Sequence, residues 1–298
     1  MPENPEQPPR VAVIGAGTMG AGIAQVFARA GCRVTLWSRS ESTLAAARAT
    51  VPDDVRCTRS LAEALEGADV VSENVAEIVA LKQDILATAE AAVAPECLLT
   101  TNTSSVPITL LGTALEHPGR FLGMHWFNPA PVMPLVELVA GAATDAADMT
   151  RAESLTRRLG KLPVVVRADV PGFVVNRIQY AVLREVLHLV ESGVTSVEDA
   201  DLAVRTTLAP RWAACGPLEL MDLAGLDVVQ QVSGILMPEL SNSAEVPASV
   251  SKLVADGALG AKSGRGFYPW TPERTAQVKA HRDAVVSRLT AEGGGDDD

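Results

Sequence analysis

One stretch near the start of the chain leaves few choices of fold. Val11-Ala12-Val13-Ile14 is a short continuous apolar run, the pattern of a strand buried on both faces of a parallel sheet. It runs straight into Gly15-Ala16-Gly17-Thr18-Met19-Gly20, and an amphipathic helical pattern then continues to about Arg29. The spacing is GxGxxG. Gly15 allows a tight turn, Gly17 lets backbone approach a pyrophosphate, and Gly20 lets the helix pack close to the strand. The N-terminus of the helix then offers unbonded N–H groups and a positive dipole end to phosphate. Gly15, Gly17, Thr18, Met19 and Gly20 are therefore expected to bind a dinucleotide. The competing reading is a glycine turn kept only for packing.

The alternation continues. Strands are expected at Val34–Trp37, Val55–Thr58, Asp69–Ser72, Cys97–Thr101, Phe121–His125, Leu135–Val139 and Val164–Val166. Helices are expected at Ser42–Ala49, Ser60–Glu66 and Ile78–Val93. Strands alternating with helices predict an α/β class with a Rossmann-type, mostly parallel sheet. The character changes at Asp169-Val170-Pro171-Gly172, where a Pro–Gly pair punctuates the chain. A long helix from Phe173 to about Glu191 follows, then further helical segments to about Asp256 and from Pro272 to Thr290. The expectation is a dinucleotide-binding domain over 1–170 and an all-helical domain over 171–298, the latter for substrate and dimer contacts.

Composition narrows the function classes. With 298 residues and 47% apolar content, both halves can bury real cores. A net charge of −11 argues against a nucleic-acid or anionic-membrane surface, which needs clustered Lys and Arg. The four cysteines form no CxxC or CxxH pair, so no metal site is expected, and the pattern fits reduced thiols in a cytoplasmic protein. The opening MPENPEQPPR has no apolar core of a signal peptide, and no apolar run approaches a membrane span of about 20 residues. The closing residues from Glu292 read as a solvated tail.

Cofactor choice turns on the end of the second strand. A carboxylate there usually bonds the adenosine ribose of NAD. This chain has Ser38-Arg39-Ser40 instead. Ser38 removes the repulsion of a 2′-phosphate, and Arg39 supplies a guanidinium fork to bind one. NADP(H) is preferred on this reading, with NAD(H) possible. The alternative leaves Arg39 as a solvated charge and gives the ribose to Glu41.

Three further stretches carry the chemistry: Asn102-Thr103-Ser104-Ser105, the run Gly123-Met124-His125-Trp126-Phe127-Asn128-Pro129-Ala130-Pro131 continuing to Glu137, and Asp169-Val170-Pro171-Gly172-Phe173-Val174-Val175-Asn176-Arg177. With Glu73, Glu77 and Lys82 after the fourth strand, and the late Gly260-Ala261-Lys262-Ser263-Gly264-Arg265-Gly266-Phe267-Tyr268, they resemble the L-3-hydroxyacyl-CoA dehydrogenase family. The resemblance implies a catalytic set of Ser104, His125, Glu137 and Asn176, with Glu77, Lys82 and Asn102 beside the cofactor. A histidine, with a pKa of about 6.5, can both give and take a proton near neutrality. Glu137 would hold its other ring nitrogen, as the orienting carboxylate of a serine-protease triad does. Ser104 and Asn176 would hydrogen-bond the substrate's oxygens. Taken singly, His125 also reads as a structural histidine, and Ser104 and Asn176 as helix caps. Nothing local separates Ser104 from Ser105.

One departure bears on the substrate. In the family's acyl-CoA enzymes the segment after the second strand is longer and forms a helical hairpin beside CoA. Here only the stretch from Ser40 to Asp69 joins the second strand to the fourth. The resemblance implies an oxidoreductase moving a hydride between nicotinamide and a ketone or secondary alcohol. The short segment raises a reductase of a CoA-free carbonyl or imine as the alternative. A non-catalytic cofactor-binding protein is a third reading, disfavoured by the complete catalytic set. Leu218, Leu220, Met221, Leu223, Leu226, Val228 and Val229 crowd one stretch of the rear half, which predicts a homodimer.

Overall fold

A computed structural model describes residues 8–292; residues 1–7 and 293–298, most of the expected solvated tail among them, lie outside the described residues. The chain divides into two compact units, Met1–Arg177 and Ile178–Asp298. The division falls later than the Pro171-Gly172 punctuation suggested. Phe173 packs into the front core, and the N–H groups of Val174 and Val175 are bonded to Glu137, so the backbone past the Pro–Gly pair stays with the front unit.

The front unit runs β1 (Arg10–Ile14), α1 (Thr18–Arg29), β2 (Arg33–Trp37), α2 (Glu41–Arg48), β3 (Arg56–Thr58), α3 (Leu61–Leu65), β4 (Val70–Glu73), α4 (Val79–Ala92), β5 (Leu98–Thr101), α5 (Ile108–Gly112), β6 (Phe121–Trp126), β7 (Leu135–Ala140), α6 (Ala146–Arg158) and β8 (Leu162–Val166). Its eight strands form one sheet in the order β3-β2-β1-β4-β5-β6-β7-β8. All neighbours pair parallel except β6 and β7. The order reverses between β1 and β4, which opens a crevice at the strands' C-terminal ends, the usual ligand site of such sheets.

Period-two alternation distributes the strand side chains between two cores. Val11 and Val13 of β1 pack on one face with Ile23, Phe27, Leu44 and Leu155. Ala12 and Ile14 pack on the other with Leu65, Leu86, Ile108 and Leu111. Both faces are covered, so β1 reads as an unbroken apolar run. Serines start the short helices: Ser40 Oγ accepts from the Thr43 N–H at 3.2 Å and Ser60 Oγ from the Glu63 N–H at 3.3 Å.

The expected strands are all present, with shifted ends. β4 includes Glu73, placed after it by the sequence reading, and β8 begins at Leu162. α5 and α6 were not anticipated. The largest correction concerns Phe173. It does not open the long helix but sits in left-handed backbone at φ 48°, buried, and α7 (Val175–Glu191) begins after it. Pro171-Gly172 bends the chain so that Phe173 turns into the second core.

The rear unit continues α7 and adds α8 (Val197–Ala203), a π-helical turn at Val204–Leu208, α9 (Ala209–Ala214), α10 (Pro217–Ala224), α11 (Leu226–Leu236), α12 (Ala248–Ala255) and α13 (Pro272–Glu292). Its β structure among the described residues is two isolated bridges, Gly260 with Arg265 and Arg265 with Pro269. No helix among the described residues is long and apolar enough to cross a membrane.

Candidate active site

The glycine turn has the shape its spacing requires. Gly15 lies at φ 110°, and a Cβ there would meet the Asn74 carbonyl oxygen at 2.6 Å. A Cβ on Gly20 would stand 1.7 Å from the Gly15 carbonyl oxygen. Gly17, by contrast, has nothing within 4 Å of that position. It caps α1 with no side-chain hydrogen bond, so the N–H groups of Thr18 and Met19 open the helix unblocked. Open space over Gly17 at an uncapped helix start fits a pyrophosphate.

At the end of β2, Ser38 is buried and its N–H donates to the Thr58 carbonyl at 3.3 Å. Its hydroxyl accepts the Ser40 N–H at 3.2 Å, and the Ser40 hydroxyl is occupied capping α2. Arg39 is exposed.

Beneath the crevice lies a buried polar cluster. Lys82 Nζ donates to both Glu73 oxygens at 3.0 and 3.2 Å and stands 3.3 Å from Glu77 Oε2. It also reaches the carbonyls of Val75 and Asn102, each at 3.4 Å. Lys82 is 0% exposed. Its ammonium is held by these protein groups, and it supports the site from below. Glu77 Oε1 accepts from the hydroxyl of Thr103, the N–H groups of Ser104 and Ser105, and the Ser105 hydroxyl. Burial by itself would raise the Glu77 pKa; the Thr103 hydroxyl, Lys82 and the Ser104 N–H outweigh it and hold it below the usual carboxylate value.

Glu77 also separates the two serines. The Ser105 hydroxyl donates to it at 3.2 Å, whereas Ser104 is bound through its N–H, leaving an exposed hydroxyl without a partner among the described residues. Asn102 accepts the Trp126 N–H on Oδ1 at 3.1 Å, which leaves its Nδ2 hydrogens for a ligand.

His125 and Glu137 face each other as partners on the antiparallel strands β6 and β7, so their side chains emerge side by side on one face. His125 Nδ1 lies 2.7 Å from Glu137 Oε2. Glu137 Oε1 accepts the N–H groups of Val174 and Val175, each at 2.9 Å. Burial would raise this carboxyl too, but the hydrogen bonds from His125, Val175 and Val174 prevail and keep its pKa low. An ionised Glu137 accepts a hydrogen bond from Nδ1–H, which leaves Nε2 to exchange a proton with a substrate. Phe127 and Phe173 wall the imidazole, with ring centroids 4.6 and 5.5 Å away. Asn176 stands in the first turn of α7, directly after the two N–H groups held by Glu137, half-buried and with its amide unpaired.

Residues 10–55 and 48–170 match the NAD binding domain of 3-hydroxyacyl-CoA dehydrogenase, and residues 172–270 match that family's C-terminal domain. The chain belongs to the 3-hydroxyacyl-CoA dehydrogenase family. It is accordingly a nicotinamide-dependent oxidoreductase of that type. The 5-formyl-3-hydroxy-2-methylpyridine 4-carboxylate 5-dehydrogenase of Mesorhizobium japonicum is 38% identical over 290 residues, covering 91% of this chain and 94% of that one. A 3-hydroxybutyryl-CoA dehydrogenase of Mycobacterium tuberculosis is 36% identical over 283 residues, covering 88% and 98%. Among solved structures, a 5-formyl-3-hydroxy-2-methylpyridine 4-carboxylic acid 5-dehydrogenase, an NAD+ dependent dismutase, superposes with TM-score 0.91 at 36% identity, covering 96% of this chain and 99% of that one. The (S)-3-hydroxybutyryl-CoA dehydrogenase of Ralstonia eutropha gives 0.70 at 33% identity, covering 89% and 100%.

Two structural residues of this family site escaped the sequence reading. Phe173 carried an apolar label that suited a helix, and only its backbone turn brings it against His125. Lys161 is buried, and its ammonium donates to the carbonyls of Ala130 and Met133 at 2.8 and 2.7 Å. It steadies the proline-rich turn after His125, where Pro129, Pro131 and Pro134 have no N–H to share. A single lysine ahead of an apolar strand offers no signal of that role.

Proposed function

We propose that the chain interconverts a carbonyl and an alcohol, or reduces an imine, on a small substrate without CoA, using His125 as proton donor and acceptor. The 2.7 Å contact between His125 Nδ1 and Glu137 Oε2 carries this reading. A bound nicotinamide supplies or accepts the hydride, held by the glycine turn, Glu77 and the amide of Asn102. His125 Nε2 gives the substrate oxygen its proton or removes it. Glu137 fixes the tautomer and steadies the imidazolium. The Ser104 hydroxyl and Asn176 amide, both unpaired, donate to the substrate's oxygens as charge develops there.

The case against CoA comes from α2 and β3, which are joined by residues 49–55 alone, with no helix among them. A CoA nucleotide placed there would lie largely in solvent, and remote binding energy of that kind is what an acyl-CoA enzyme uses to place its reacting carbon. The higher structural likeness to an enzyme named for a pyridine carboxylate supports the same choice. Acetoacetyl-CoA should be used little better than its N-acetylcysteamine analogue. A preference of a thousandfold in kcat/KM, about 4 kcal/mol of transition-state binding, would restore a CoA substrate.

NADP(H) is the preferred cofactor on this reading, because no carboxylate stands at Ser38 and Arg39 is exposed beside it. NADPH should give the higher kcat/KM, and exchanging Ser38→Asp together with Arg39→Ala should reverse the preference. Equal or better kinetics with NADH in the unaltered protein would refute it.

The working form is a homodimer in the cytoplasm. Leu218, Leu223 and Leu226 are 82%, 76% and 63% exposed, Met221 and Val228 are exposed beside them, and Leu220 and Val229 are half-buried. A two-fold contact would cover this surface. Sedimentation at micromolar concentration should give twice the chain mass; a monomer would refute the assignment. The four cysteines are all free, as a reducing compartment requires.

A further inference from the structure

We infer that Arg59, at the end of β3, is a second specificity-determining arm for the 2′-phosphate of NADP(H), acting with Arg39. The inference rests on the NADP(H) preference proposed above and names a residue that this preference did not include.

Three hydrogen bonds tie the end of β3 to the end of β2. The Ser38 N–H donates to the Thr58 carbonyl at 3.3 Å, the Trp37 indole N–H to the Arg59 carbonyl at 3.0 Å, and Arg59 Nε to the Arg39 carbonyl at 3.3 Å. The last of these brings the Arg59 guanidinium to the backbone of Arg39, twenty residues earlier in sequence, and leaves its two terminal nitrogens without a partner among the described residues. Trp37 fixes the Arg59 backbone from the other side, so the side chain leaves an anchored point.

The electrostatics single out this corner. Both arginines are exposed, and neither has an ion pair among the described residues. The acids nearest in sequence are already engaged: Glu41 with Arg48 at 2.7 Å, and Glu63 with Arg56 and the Thr58 hydroxyl. Two exposed arginines without an ion pair thus meet here, the guanidinium of one at the backbone of the other, in a chain of net charge −11. They flank the C-terminal ends of β2 and β3, next to the strand that feeds the glycine turn, where the adenosine ribose of a dinucleotide lies in this architecture. A dianionic phosphate monoester can take a planar fork from each side. An NAD-selective corner would keep a carboxylate here, and two free cations without one would have nothing to bind.

The test uses the intact protein and two probes, 2′,5′-ADP and 5′-AMP, titrated by calorimetry, together with KM values for NADPH and NADH. The unaltered protein should bind 2′,5′-ADP more tightly than 5′-AMP. Arg59→Ala should weaken 2′,5′-ADP by about tenfold or more, the usual loss for a hydrogen bond to a charged group, and raise the KM for NADPH. It should leave 5′-AMP binding and the KM for NADH unchanged, with kcat preserved. Arg59→Lys should recover part of the loss, and the effect should shrink at high salt. Discrimination by the unaltered protein, lost in Arg39→Ala but intact in Arg59→Ala, would overturn the role of Arg59 alone. No discrimination by the unaltered protein would overturn the NADP(H) preference and this inference with it. Equal weakening of 5′-AMP in Arg59→Ala would assign the residue to the shape of the loop and also overturn the inference.

Discussion

Replacing His125 by alanine should lower kcat by about 10²–10⁴-fold, the range for loss of a general acid–base, while cofactor affinity stays nearly unchanged. The imidazole is walled by Phe127 and Phe173 and held by Glu137, so its removal takes away the proton path without touching the glycine turn. Glu137→Gln tests the same unit from the other side. Its amide oxygen can still accept the N–H groups of Val174 and Val175, but its NH2 then points at His125 Nδ1. That forces the proton onto Nε2 and leaves no base for the alcohol. The two losses should not add, because the carboxylate acts only through the imidazole. Single-turnover rates for both single variants and the double variant decide the matter; a double variant as slow as the product of the two effects would break the assigned coupling.

Lys82→Met should cost about 3–5 kcal/mol of folding stability, the penalty for stranding one half of a buried ion pair. That is a large share of the roughly 5–15 kcal/mol that holds a typical domain together. Glu73 has no exposure, and without the lysine its donors are the Val75 N–H and the Thr101 hydroxyl alone. Glu77 would lose its cation as well, loosening the turn that presents Ser104. Adding Glu73→Gln should recover part of the loss, since the fully buried Glu73 then carries no unpaired charge. Denaturant unfolding of the unaltered protein and the two variants gives the comparison, and a loss below about 1 kcal/mol for Lys82→Met would contradict a buried, coupled pair.

The strand–turn–helix start was legible because local chemistry decides it. Gly15 and Gly20 are each required by a close backbone approach, to Asn74 and to Gly15, and Gly17 keeps the space over the helix start open, so the spacing announces the shape. The strands β1, β4, β5 and β6 are equally plain, since each carries a short apolar run buried on both faces of the sheet. Helices α5 and α6 were missed because one is a single short turn and the other is mostly polar, with only Met149, Ala152, Leu155 and Thr156 buried. Helix α7 was placed too early because Phe173 is apolar in the right neighbourhood, and a left-handed residue other than glycine leaves no compositional trace.

The residue types of the site could be read from the chain, but not their assignments. His125 and Glu137 are recognisable as an acid–base couple only through the family's motifs, and their meeting depends on the antiparallel register of β6 on β7. A slip of one residue would send Glu137 to the opposite face. Ser104 and Ser105 are adjacent and chemically identical; the carboxylate of Glu77, brought over from the neighbouring strand's end, takes one hydroxyl and leaves the other. The charge of Lys82 says nothing of its surroundings, and the packing of α4 over β4 buries it against Glu73. Arg59 meant nothing beside its neighbours in sequence until the pairing of β3 with β2 set it against Arg39. Local rules of backbone freedom and apolar periodicity are written in consecutive residues, whereas the state of a charged or hydroxyl side chain depends on which distant group shares its space, and that is decided only when the sheet closes.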